Sequence, residues 1–155
     1  MYKRQDVFEN HGLLIDYAQN EIYVIEEGRH YPMEKCASKV VRIPFSYHNE
    51  KLPILEANYQ GKSLNIAFDT GANTSVLSEK LDLHRNNGEL SQVDFGALKI
   101  EAVPFQNIQL DKLNEDTLDH LDGIISATAF NADQIFISFK RKEIYFFFQP
   151  DLVNQ

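Results

Sequence analysis

Short apolar runs alternate with polar residues along most of this chain with the period of two expected of half-buried strands. Residues 13–17 and 21–25 predict two strands joined at Ala18-Gln19-Asn20. A linker with Gly28, Pro32 and mixed charges follows over 27–37. Residues 39–45 alternate as a strand, 46–51 read as a polar loop, and 52–59 form another strand. Gln60-Gly61-Lys62 turns that strand into the next, where Leu64, Ile66 and Phe68 alternate with Asn65 and Ala67. This one stops at Asp69-Thr70-Gly71-Ala72 and resumes at Val76-Leu77. Ser78 suits the cap of one helical turn over 78–83. Residues 93–105 and 108–110 predict further strands around turns at Gly96 and Pro104, and 112–120 form a polar loop or short helix. A helix-like stretch at 127–130 precedes a last hairpin, 135–139 and 143–147. Many short strands with regular turn signals predict a closed all-β barrel with one or two short helices.

A length of 155 residues fits one domain plus an appendage, and 43% hydrophobic residues suffice for a core. The net charge of −8 argues against nucleic acid as a partner, since a phosphate backbone needs clustered cations. The one tight basic cluster, Lys140-Arg141-Lys142, sits between two strand-like runs and reads as a solvated turn. The longest apolar run is about five residues, which is too short to span a membrane. Met1-Tyr2-Lys3-Arg4 lacks the apolar core of a secretory signal, so the chain as written is expected in the cytoplasm. Cys36 stands alone, which excludes an intrachain disulfide, and it has no nearby histidine to activate it. His11, His30, His48, His84 and His120 lack metal-ligand spacing and read as exposed loop residues. Asp111, Glu115, Asp116, Asp119 and Asp122 lack the calcium-loop pattern and read as a solvated acidic loop. Residues 145–148, four aromatics in a row, read as a strand buried on both faces.

Asp69 draws the chemistry. It falls where a buried strand ends, a poor place for an unpaired charge. Gly71 is expected to let the backbone turn tightly and approach a neighbour. The residues alone leave two readings: an Asx-turn in which Asp69 bonds backbone amides, or a carboxyl group with a catalytic task. The run from Leu64 through Asp69-Thr70-Gly71-Ala72 to Ser75-Val76-Leu77 resembles the active-site motif of the retropepsins, the single-domain aspartic proteases of retroviral type. A second motif of that family, an apolar pair followed by glycine and an Asp or Asn that opens a short helix, is matched at Ile124-Ile125 and 127–130. Ser126 stands for the glycine and Thr128 for the acid or amide, and the resemblance implies that Ser126 crowds the loop packed against it. Residues 84–92 are too few for a complete flap hairpin over the substrate.

The resemblance implies a retropepsin-like barrel over 38–149 that hydrolyses polypeptides without cofactor or metal. The catalytic residues would be Asp69, Thr70 and Gly71, with Ala72 and Asn73 against the substrate. Asn73-Thr74-Ser75 also fits a glycosylation sequon, here read as coincidence. With one Asp-Thr-Gly in the chain, the second carboxyl would come from Asp69 of a second copy in a homodimer. Asp94-Phe95-Gly96 is the nearest echo, but it lacks the alanine and the exit strand. The alternative is a catalytically inactive barrel that serves as a dimerisation or peptide-binding module.

The two hairpins resemble each other. An offset of 122 positions lays Ile15, Glu21, Ile22 and Tyr23 on Ile137, Glu143, Ile144 and Tyr145, and Asp6-Val7-Phe8 on Thr128-Ala129-Phe130. Residues 1–26 are therefore expected to be a repeat-derived helix and hairpin resembling the end of a preceding retropepsin-like unit. The chain would then be an amino-terminally shortened product, and the longer form could be exported.

Overall fold

The computed structural model describes residues 10–26, 37–48, 52–81, 88–110 and 120–149. The described chain is built from twelve strands and two single turns of 3-10 helix. The first five strands are β1 (His11–Asp16), β2 (Glu21–Glu26), β3 (Lys39–Pro44), β4 (Ser46–His48) and β5 (Leu52–Tyr59). Next come β6 (Lys62–Asp69), β7 (Ser75–Ser78), the first 3-10 turn (Glu79–Leu81), β8 (Glu89–Asp94) and β9 (Lys99–Ile108). The chain closes with β10 (Gly123–Ser126), the second 3-10 turn (Ala127–Phe130), β11 (Gln134–Ser138) and β12 (Glu143–Phe148). The strands group into two compact units, Phe45–Asn131 and a unit made of Met1–Pro44 with Ala132–Gln155.

In the unit of residues 45–131 the sheet order is β4-β5-β6-β10-β7-β9-β8. A further pairing, Asn58 with Asp94, joins β8 back to β5. The six strands β5, β6, β10, β7, β9 and β8 therefore close on themselves, which removes their edges and gives the expected all-β barrel. Alternation fills it: Leu64, Ile66 and Phe68 of β6 are buried while Lys62, Ser63 and Asn65 are exposed. Ile54, Ala67 and Leu121 form one core cluster, with Leu52 and Ile124 packed against it.

Two local readings change. Residues 46–48, expected in a loop, pair with β5 from Ser46 opposite Ile54 to His48 opposite Leu52. Pro104, expected at a turn, lies inside β9 opposite Glu89. The ladder between β7 and β9 starts at Phe105, and the Phe105 N–H donates to the Gly88 carbonyl at 2.8 Å. Pro104 thus occupies the step just before that ladder, where a missing N–H costs no strand bond. Ser78 caps its turn as expected, its hydroxyl accepting from the Lys80 N–H at 3.3 Å. Residues 1–9, 27–36, 82–87 and 111–119 lie outside the described residues, and with them the expected amino-terminal helix, Cys36, most of the linker, the start of the flap segment and most of the acidic loop.

In the other unit, five strands run in the order β2-β1-β11-β12-β3. The two predicted hairpins lie side by side, with β1 antiparallel to β11 from Gly12 opposite Ser138 to Asp16 opposite Gln134. Asp16 and Gln134 are both 3% exposed, and the Gln134 Nε2 donates to Asp16 Oδ2 at 2.5 Å. Asp16 Oδ1 accepts from the Gln19 N–H at 2.9 Å, so the carboxylate also pins the turn. The neighbouring Tyr17 hydroxyl is buried with no hydrogen-bond partner among the described residues, and burial pushes its pKa up. Asp16→Ala should strip the partner from the buried Gln134 amide and cost about 2 kcal/mol, or roughly 4–8 °C in Tm. Tyr17→Phe should leave Tm unchanged or raise it, because it removes a hydroxyl that bonds nothing among the described residues. Thermal unfolding followed by circular dichroism checks both.

Candidate active site

β10 decides the geometry around Asp69. It runs parallel to β6, with Ser126 opposite Asp69, and antiparallel to β7, with Gly123 opposite Leu77 and Ile124 opposite Val76. The loop of residues 70–74 leaves β6 and enters β7, so it spans the end of the strand lodged between them. Such close seating needs a small residue at the base of the wedge. A Cβ on Gly123 would lie 2.6 Å from Leu77 Cδ2 and 2.7 Å from the Val76 carbonyl oxygen. Asp122 fixes the entry to β10: its Oδ2 accepts from the Asn65 N–H at 2.8 Å, and its carbonyl accepts from the Ser78 N–H at 2.8 Å. Asp122 is thus a stitch between β6 and β7 and not part of a freely solvated acidic loop.

The five residues singled out in the sequence lie together on the loop. Asp69 is half-buried, Ala72 is half-buried, and Thr70, Gly71 and Asn73 are exposed. Asp69 Oδ1 accepts from the Gly71 N–H at 2.8 Å, the Asx-turn anticipated from the sequence, while Oδ2 has no partner among the described residues. The turn does not itself require a glycine. Gly71 does not adopt a positive φ, and among the described residues a Cβ there would meet only Asp69 Oδ1, at an ordinary 3.5 Å. The close neighbour expected for Gly71 is not within the described chain.

Ser126 does not crowd the loop; it binds it. The side chain is buried, and its Oγ donates to the Ala72 carbonyl at 2.7 Å. That bond uses the only proton of the Ser126 hydroxyl, so in the 2.7 Å contact with Thr128 the Thr128 hydroxyl must be the donor. The Thr128 N–H supplies a second donor to Ser126 Oγ at 3.3 Å, as in a helix cap. The Ser126 N–H donates in turn to Ser75 Oγ at 3.1 Å. Ser75 is 6% exposed. Ser126 and Ser75 therefore tie the middle of the loop and its far end to the end of β10. These roles of Ser75, Gly123 and Asp122 escape a linear reading; for Ser75 the signal was its fixed distance from Asp69, and for Gly123 a lone glycine before an apolar pair.

Aromatic packing backs the site. Phe68, next to Asp69, meets the Phe130 ring edge-on at 5.7 Å between centroids, and Phe95 lies 5.2 Å from the same ring. Phe130 belongs to the turn that follows β10, so β6 and β10 share one anchor. Asp94-Phe95-Gly96 serves the barrel, with Phe95 4% exposed. Asp94 Oδ1 accepts from the Gly96 N–H at 2.7 Å and Oδ2 lies 3.6 Å from Lys99 Nζ. Among the described residues no three His, Cys, Asp or Glu side chains group as metal ligands. No helix among them is long and apolar enough to cross a membrane.

No family model and no curated protein matches the chain. Among solved structures it is similar to a retropepsin-like aspartic protease from Rickettsia conorii, with a TM-score of 0.46 and 12% identity over 72% of this chain and 94% of that one.

Gly123→Ala should force β10 away from β7 and cost about 1–3 kcal/mol, read as a lower midpoint in urea. Ser126→Ala should cost about 1–2 kcal/mol by leaving the Ala72 carbonyl unpaired, with faster amide exchange confined to residues 70–75. Unchanged exchange in that loop would contradict the tether.

Proposed function

We propose that the chain is an aspartic endopeptidase in which Asp69 and the Asp69 of a second copy activate a water molecule for attack on a peptide bond. The observation that carries this reading is the state of Asp69 itself. One carboxylate oxygen is fixed by the Gly71 N–H, and the other has no hydrogen-bond partner among the described residues, at the end of a buried strand. A carboxylate held in this way is oriented at one oxygen and available at the other. Two ionised carboxylates about 4 Å apart repel by roughly 4 kcal/mol at an effective dielectric of about 20. Such a pair therefore shares one proton: the protonated member polarises the amide carbonyl while the ionised one takes a proton from water. Its titration belongs to the pair and not to either residue.

Thr70 and Gly71, both exposed, are the residues in this reading that meet the second active-site loop, and Ala72 and Asn73 meet the substrate backbone. That Gly71 has no steric need for glycine among the described residues fits an approach by a second copy. The competing reading, an inactive barrel used for dimerisation or peptide binding, is favoured by Asp94. There the same Asx-turn forms beside Lys99 in a plain hairpin, so the turn alone does not mark catalysis.

Asp69→Asn keeps the shape of the side chain and its bond to Gly71 but removes the shared proton. It should abolish peptide cleavage measured near pH 5, and leave the dimer folded by sedimentation and circular dichroism. Wild-type protein inert toward a broad peptide library and unable to bind a pepstatin-like inhibitor would favour the inactive module.

A further inference from the structure

The two hairpins repeat in structure as well as in sequence. At the offset of 122 positions, Asp16 accepts from the Gln19 N–H at 2.9 Å just as Ser138 accepts from the Arg141 N–H at 3.1 Å. Asn20 and Lys142, again equivalent, both adopt φ 55°. The Tyr23 hydroxyl donates to Glu21, and the Tyr145 hydroxyl donates to Glu143 at 2.6 Å. The pairing of β1 with β11 is its own image under this equivalence. Leu14 lies opposite its counterpart Phe136, Leu13 opposite Ile137 and Ile15 opposite Ile135. The four strands β2-β1-β11-β12 thus have a local twofold axis through the Leu14–Phe136 pair.

The fifth strand breaks that symmetry. On the outer side of β12 lies β3, antiparallel, with Ile43 opposite Ile144, Arg42 opposite Tyr145 and Val41 opposite Phe146. Arg42 Nη1 lies 3.5 Å from Glu143 Oε1, the carboxylate that also holds the Tyr145 hydroxyl. Among the described strands nothing lies on the outer side of β2. The exposures differ as well: Ile144 and Phe146 are 0% exposed, whereas their counterparts Ile22 and Val24 are 67% and 57% exposed. Solvent-facing edge strands are usually blunted by lysine, proline or an added charge. β3 has all three devices in Lys39, Arg42 and Pro44, while the centre of β2 is Ile22-Tyr23-Val24.

We infer that the outer edge of β2 is a docking site for an extended strand of β3-like chemistry, supplied by another polypeptide. The strand runs antiparallel to β2, with β-branched apolar residues opposite Ile22 and Val24 and an arginine opposite Tyr23 that pairs with Glu21. A second copy of this chain does not supply it in this register, because its own β3 already uses that edge against β12. The inference stands apart from the hydrolytic reading and survives or fails without it.

The probe is a synthetic peptide of residues 38–45, Ser-Lys-Val-Val-Arg-Ile-Pro-Phe, titrated into the full chain and followed by amide chemical shifts. Saturable binding with shifts centred on residues 21–26 is expected. Ile22→Asp, at a position exposed enough to leave folding intact, should weaken binding about tenfold or more. Glu21→Ala should weaken it about two- to fivefold, and a peptide with alanine for its arginine should show the same loss, with no further loss in the Glu21→Ala protein. Absence of saturable binding, shifts centred on β12, or binding indifferent to both variants overturns the proposal. So does self-association of the chain that disappears in Ile22→Asp, which would make the occupant a second copy.

Discussion

A strand wedged between two others governs the barrel's chemical end. β10 can lie between β6 and β7 only because Gly123 offers no side chain to the Val76 carbonyl and the Leu77 side chain. Once seated, it presents Ser126 at the level of Asp69, where one buried hydroxyl reaches the Ala72 carbonyl and the backbone above it reaches Ser75. The loop carrying Asp69 is therefore held from below at two points, and the Asx-turn to Gly71 holds the carboxylate from within. Each of these bonds is modest alone. Together they fix a carboxylate that a free loop would leave mobile, which is the preorganisation a catalytic acid requires.

The other unit carries a different kind of order. Its two hairpins obey a local twofold, and β1 covers the edge of β11 that such an axis would otherwise offer to a separate chain. The symmetry also explains why Ile22 and Val24, poor residues for a solvated edge, stand where they do: their counterparts Ile144 and Phe146 are core.

Much of this was readable from the chain because strand periodicity is a local property. Alternation located β1, β2, β5 and β6, and turn chemistry at Gln60-Gly61 and Ser78 marked where strands end. The Asp69 loop was legible because its residues are contiguous. Errors arose where tertiary context outweighed local propensity. Ser46–His48 is too polar to read as a strand but is recruited by the edge of β5, and Pro104 is tolerated in β9 because it lies one step before the ladder with β7 begins. The role of Ser126 is hidden for the same reason: a serine replacing glycine reads as a clash until the carbonyl it bonds, 54 residues away, is known. The equivalence of the hairpins was visible in the sequence, but their pairing through a common axis was not, since register between distant strands is a property of the fold.

The account turns on whether the loop's carboxylate works beside a second one. The most direct measurement is a crystal structure of the assembled protein near pH 5, with its mass in solution established by sedimentation. The account predicts a twofold assembly in which two Asp69 carboxyls face each other at about 3 Å, close enough to share a proton. A chain that stays monomeric at every concentration, or an assembly that holds those carboxyls far apart, would contradict it.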